Sequence, residues 1–191
     1  MFERFTQGAR EVVEGAVAHA ERQESGAVTD EHVLLALLDA RGSKAAFVLS
    51  ALGADAQKDA LVRELAEVRR RGGVSEADAE ALAGLGIDVG QIVARVEEAH
   101  GAGALAGDRR DRRWWGGKHR SFSREAKDTL EKSLRIAVGR KDRFIGDEHL
   151  LLALASRPGV VRDVLGSHGV SVEAVEQVLG GSGAGGVAQA G

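Results

Sequence analysis

Thr29–Leu38 reads TDEHVLLALL and Gly146–Ala155 reads GDEHLLLALA, so one chain opens an apolar run twice with the same Asp-Glu-His. Setting Phe5 on Phe122 extends the match without a gap as far as Gly42 and Gly159. Thr6 then falls on Ser123, Ala9 on Ala126, Arg10 on Lys127, Glu14 on Glu131 and Ala20 on Ala137. The chain therefore carries an internal duplication. Past the following loop the offset shifts by one residue, and FVLSALG at 47–53 falls on DVLGSHG at 163–169.

Helical signals surround the repeated decamer. Ala9, Val12, Val13, Ala16, Val17 and Ala20 recur at three- and four-residue steps, the stripe of an amphipathic helix, with Thr6 as its N-cap. Residues 31–40 are almost wholly apolar after their first turn, which predicts a short helix buried on most sides. Residues 43–52 predict a third helix closed by Gly53. A fourth, SVEAVEQVL at 171–179, ends the second copy, and IDVGQIVARV at 87–96 is its best match in the first half. On that reading 54–86 is a helical insertion. The expected fold is all-α: two pseudo-symmetric four-helix repeats, with a helical insertion after the first. The expected organisation is a first repeat over 1–100 including the insertion at 54–86, a Gly/Arg/Trp linker over 101–121, a second repeat over 122–180 and a flexible tail over 181–191.

Composition narrows the function classes. The 191 residues are 43% hydrophobic and 29% charged, close to the globular average, and long enough to bury a real core. A net charge of −3 gives no overall attraction to nucleic acid or an anionic membrane. The absence of cysteine excludes disulfides and thiolate metal sites. No apolar stretch approaches the roughly 20 residues of a membrane span, and MFERFTQGAREVV lacks the regions of a signal peptide, so a cytoplasmic protein is expected. No HExxH or GxSxG string occurs, and the six histidines are scattered at spacings that suggest no ligand set. Gly117–Lys118 is followed by His119 and preceded by Arg112 where a phosphate-binding loop needs its first glycine. The sequence therefore predicts no enzyme, no metal and no cofactor.

MFERFTQGAREVVEGA followed by TDEHVLLALL, and FSREAKDTLEKSLRIA followed by GDEHLLLALA, resemble the double-repeat N-terminal domain of Clp-type AAA+ unfoldases. The resemblance covers most of 1–53 and 87–180 and implies an all-helical pseudo-dimer of two Clp N-terminal repeats. With no ATPase module beside them, it implies a docking domain on its own. Such a protein would be an accessory, adaptor-like or decoy protein of the Clp proteolytic system. Its partners would be a Clp-type unfoldase, that unfoldase's adaptors or its marked substrates.

The resemblance further implies that the Glu of each decamer, Glu31 and Glu148, recognises arginine or phosphoarginine in marked substrates, with Thr6 and Ser123 at matching starts of the first helices. A carboxylate suits a guanidinium because the two form paired, charge-assisted hydrogen bonds. Asp30 and Asp147 stand where the family more often has threonine, and an added carboxylate repels a phosphoryl group. A plainer reading explains the same letters. Thr29 or Asp30 caps a helix, an acidic first turn favours the helix dipole, and His32 and His149 seat the helix by a hydrogen bond. Phe2 and Phe122, with Lys127 and Glu131, match positions that in actinobacterial members line a groove for cyclic peptide antibiotics. A phenylalanine near a helix start also serves as a staple or core residue. Finally, RDRRWWGGKHR at 110–120 sets arginines beside a Trp pair; a solvated linker or a contact with an acidic partner explains it more simply than single-stranded nucleic acid, which is the alternative reading of the chain as a regulator.

Overall fold

A side-chain hydroxyl starts the first helix of each copy. Thr6 Oγ1 accepts the Ala9 N–H and Ser123 Oγ accepts the Ala126 N–H, both at 3.2 Å. In the computed structural model, described over residues 2–105 and 120–181, these caps open α1 (Gln7–Arg22) and α7 (Arg124–Gly139). The buried stripe of α1 is Ala9, Val12, Val13, Ala16 and Ala20; that of α7 is Ala126, Thr129, Leu130, Ser133 and Ala137. These are the same five positions in the duplicated register, so the repeat extends from letters to packing.

Each first helix lies along a short second helix, α2 (Asp30–Asp39) and α8 (Asp147–Ser156). Gly15 lets α1 approach closely, because a Cβ there would sit 3.1 Å from the Ala36 methyl. α2 and α8 also touch each other, and α8 reaches α1 while α2 reaches α7. Their near-continuous apolar sequence follows from that central place: Val33 to Leu37 and Leu150 to Ala155 are all buried. The third helices, α3 (Lys44–Ala51) and α9 (Val160–Ser167), cross over, with α3 packing on α8 and α9 on α2 as well as on their own copies.

Two short parallel pairings lock the copies together. β1 (Ala27–Val28) pairs with β2 (Ser121–Phe122), bringing Val28 beside Phe122, and Phe5 bridges Ile145 in the same sense. Phe5 corresponds to Phe122 and Val28 to Ile145, so these are one contact made from each copy in turn. The result is a shared core rather than two cores side by side.

The remaining helices place the added segment. α4 (Lys58–Arg70) buries Leu61, Leu65 and Val68 against α2 and α9. α10 (Val172–Gly181) buries Val175 and packs on α8 and α3. Each thus leans on the second helix of its own copy and the third helix of the other. α5 (Glu76–Gly84) has no buried residue and α6 (Val89–His100) has only Val93. We therefore assign the fourth-helix place of the first copy to α4 instead of α6, and the added segment to α5 and α6. The string at 87–96 shares the period of α10 but not its burial, which is why letters alone favour it. The α5–α6 pair is tied back by Arg71 to Glu76 and by Arg70 to Glu97. No helix among the described residues is long and apolar enough to cross a membrane. The Trp pair and most of the arginine-rich stretch, 106–119, and the tail, 182–191, lie outside the described residues.

Candidate functional site

The three letters of the repeated Asp-Glu-His have three different tasks. The histidine is the simplest. The Thr29 N–H donates to His32 Nδ1 and the Gly146 N–H to His149 Nδ1, both at 2.9 Å. A ring nitrogen three residues into the helix thus does what Glu or Gln does in a capping box, accepting from the N-cap backbone. In the second copy this tautomer turns Nε2 toward the Asp142 carboxylate at 2.9 Å. His32 and His149 are both buried, consistent with a seating role.

The aspartates join one copy to the other. Asp147 Oδ2 accepts the Ala45 N–H at 3.0 Å, so the second copy caps the start of α3 in the first. Asp30 Oδ2 accepts from Arg157 Nη1 at 2.9 Å, and the same nitrogen donates to the Glu125 carbonyl and to Thr129 Oγ1. Asp30 Oδ1 is buried with no hydrogen-bond partner among the described residues. Burial pushes the Asp30 carboxyl above its usual range, against the opposing pull of Thr129 and Arg157.

The sign of that shift gives a measurable pH dependence. An acid with a raised pKa in the folded chain binds its proton more readily there, so ionising it in place costs stability. The parent chain should lose stability relative to Asp30→Asn as pH rises above the ordinary value of 3.8, and the difference should level off once Asp30 is ionised in the folded state. Urea unfolding across acidic pH checks this; a parent chain that gains stability relative to Asp30→Asn over that range would contradict it.

The glutamates stand at the walls of two clefts, Glu148 buried and Glu31 partly so, and each meets a cation from a distant part of its own copy or from the other copy. Glu31 takes the Arg69 guanidinium through two contacts, Nε to Oε2 at 3.1 Å and Nη2 to Oε1. Its cleft, about 680 Å³, is lined by Glu31, Arg69, Gly72, Gly73, Leu105, Arg157 and the first residues of α9. Glu148 Oε1 takes Lys44 Nζ at 2.8 Å, and that contact raises the lysine pKa. Its cleft, about 480 Å³, is lined by Lys44, Phe47, Arg140, Asp142 and Leu179. Glycine at 146 shapes this second site: a Cβ there would fall 1.9 Å from Glu148 Oε2. The Glu148 carboxylate lies folded back over the space that the side chain of Thr29 occupies in the first copy.

Thr6 and Ser123 change partners relative to their place in the alignment. The Thr6 N–H donates to the Ile145 carbonyl at 2.9 Å, beside the start of α8, and the Ser123 N–H donates to the Val28 carbonyl at 2.8 Å, beside the start of α2. Each hydroxyl residue therefore neighbours the glutamate-bearing helix of the opposite copy, although neither lines the cleft there. Of the second candidate set, Phe122 is half-buried against the core, and Lys127 and Glu131 stand one turn apart on the exposed side of α7, Glu131 paired with Arg135. The side chain of Phe2 lies outside the described residues.

Arg69, Lys44 and Arg157 are the site residues that sequence reasoning did not single out. The partner of Arg69 lies 38 positions away, so no local spacing points to the pairing. Among the described residues no group of three His, Asp or Glu is placed to hold a metal ion.

The family model of the Clp repeat (R) N-terminal domain matches residues 4–100 and 121–185. Among solved structures, one from a malarial protein secretion system is similar at 14% identity and a TM-score of 0.55, covering 94% of this chain and 94% of its own. The Hsp104 N-terminal domain from Candida albicans is 20% identical, with a TM-score of 0.49, covering 92% of this chain and 89% of its own. The N-terminal domain of the ClpD chaperone from Arabidopsis thaliana is 17% identical, with a TM-score of 0.48, covering 95% and 99%.

Proposed function

The chain belongs to the Clp repeat (R) N-terminal domain family, and from that premise we propose that it is a non-catalytic module that binds arginine-bearing segments of proteins handled by a Clp-type unfoldase. It acts by docking, as an accessory, adaptor or decoy in regulated proteolysis. Glu31 and Glu148 are the acceptors. The observation that carries this reading is that each carboxylate sits at a cleft and already engages a basic side chain from elsewhere in the fold. A carboxylate that takes an internal guanidinium through both oxygens has the geometry for an external one.

Phosphoarginine is the form of ligand best matched by the surrounding charge. The guanidinium keeps N–H groups for the carboxylate, while its phosphoryl group needs separate cations or N–H donors. Arg157 and Arg162 line the first cleft with the start of α9, and Lys44 and Arg140 line the second. Asp30 and Asp147 oppose the phosphoryl group less than their letters suggest, because one is compensated by Arg157 and the other by the Ala45 N–H. Thr6 and Ser123 start the first helices of the two copies and line neither cleft.

Phosphoarginine in excess should raise the thermal midpoint of the chain, since a ligand that binds only the folded state stabilises it by mass action, by about 2.7 kcal/mol at a hundred times its Kd. Glu31→Ala combined with Glu148→Ala should remove the shift. A parent protein whose midpoint does not move with phosphoarginine would sink this ligand while leaving the fold unaffected.

A further inference from the structure

The clefts are chemically unequal, and the inequality lies in what holds each glutamate. We propose that Arg69 is a built-in guanidinium that fills the Glu31 acceptor, so that the Glu148 cleft alone takes an external arginine-type ligand until Arg69 swings away. The inference rests on the reading of Glu31 and Glu148 as guanidinium acceptors.

Four observations carry it. Arg69 reaches both Glu31 oxygens with two different nitrogens, whereas Lys44 reaches one Glu148 oxygen with a single ammonium. A planar guanidinium fork is a directional plug; an ammonium on a four-carbon stem is a point contact. Second, the Lys44 side chain is 72% exposed and that of Arg69 only 31%. The ammonium is thus the solvent-facing end of its pair and is free to withdraw into water, while the Glu148 carboxylate, 8% exposed, stays in the cleft wall for an incoming guanidinium. Third, Arg69 stands in the last turn of α4, whose Leu65 and Val68 are buried in the shared core. The core thereby holds the guanidinium beside its carboxylate at a high effective concentration that a free ligand must overcome. Gly72, Gly73 and Leu105 border the Glu31 cleft and have no counterpart at the other, so the chain that leads into and out of the added helices walls only the plugged site.

Arg69 is thus a positioning and specificity residue: it sets how many ligands one chain accepts and which glutamate accepts the first. The test is titration calorimetry of the full chain with phosphoarginine as the probe. The parent chain is expected to bind one equivalent, and Glu148→Gln to abolish binding altogether. Arg69→Met should raise the stoichiometry from one equivalent to two, and Arg69→Met with Glu148→Gln should bind one, now through Glu31. Survival of one equivalent in Glu148→Gln with Arg69 intact would overturn the inference while leaving arginine recognition standing. That arm decides the matter even if Arg69→Met does not fold. Two equivalents in the parent, or a folded Arg69→Met still limited to one, would overturn it likewise. No binding by either the parent or Arg69→Met would defeat the ligand reading as well.

Discussion

Leu65→Ala should lower the free energy of unfolding by about 2–5 kcal/mol, the range for deleting a buried leucine side chain and leaving a cavity. Leu85→Ala, on the added pair of helices, should stay within about 0.5 kcal/mol. Leu65 is 1% exposed and Leu85 is 78% exposed. The contrast tests the assignment of α4 as the fourth helix of the first copy. Leu61, Leu65 and Val68 recur at four- and three-residue steps and fill the space between α2 and α9. Next to them, His168 clamps the same face of α4 to the end of α9, its two ring nitrogens 2.8 Å from Gln57 Oε1 and 2.9 Å from Glu64 Oε2. Removing Leu65 loosens a junction between the copies, so the loss should appear as a single cooperative transition with a lower urea midpoint and an unchanged slope. A cost for Leu65→Ala no larger than that for Leu85→Ala would return α4 to the status of an insertion.

The duplication is legible in the sequence because it is written in positions that face the core. Ala9 and Ala126, or Ala20 and Ala137, keep their identity since the close packing of α1 on α2 and of α7 on α8 leaves no room there. Thr6 and Ser123 are equally legible, as a hydroxyl at a helix start has one local use. The fourth helix is harder to place, because burial there is supplied by the other copy. Nothing in residues 54–70 alone says that α9 will cover them. Cross-copy pairings are invisible for the same reason. The alignment puts Thr6 near Glu31 in order along the chain, whereas the exchange of Phe5 and Ile145 for Val28 and Phe122 sets Thr6 beside the helix of Glu148. The cations of the clefts follow from that exchange too: Lys44 lies 104 positions from Glu148, and Arg157 lies 127 from Asp30.

The aspartate of the second decamer is where this exchange should cost most to disturb. Asp147 is 4% exposed, and its Oδ2 is the acceptor for the N–H of Ala45, which is itself fully buried. α3 begins with Ser43, whose hydroxyl accepts the next N–H along, that of Ala46. The first turn of α3 is therefore satisfied partly by its own copy and partly by the other. Asp147→Ala leaves the Ala45 N–H in a dry place without an acceptor, which costs about 1–3 kcal/mol. It also removes an acidic group from the start of α8, worth about 0.3–1 kcal/mol. Asp147→Asn keeps an amide oxygen at the same place, so it should recover most of the first loss and none of the second. Hydrogen exchange at the Ala45 amide separates the local effect from the global one. In Asp147→Ala that amide should exchange faster than the core amides of α8, and in Asp147→Asn it should stay protected. Equal losses in the two variants would mean that charge, and not the hydrogen bond, is what Asp147 supplies across the junction.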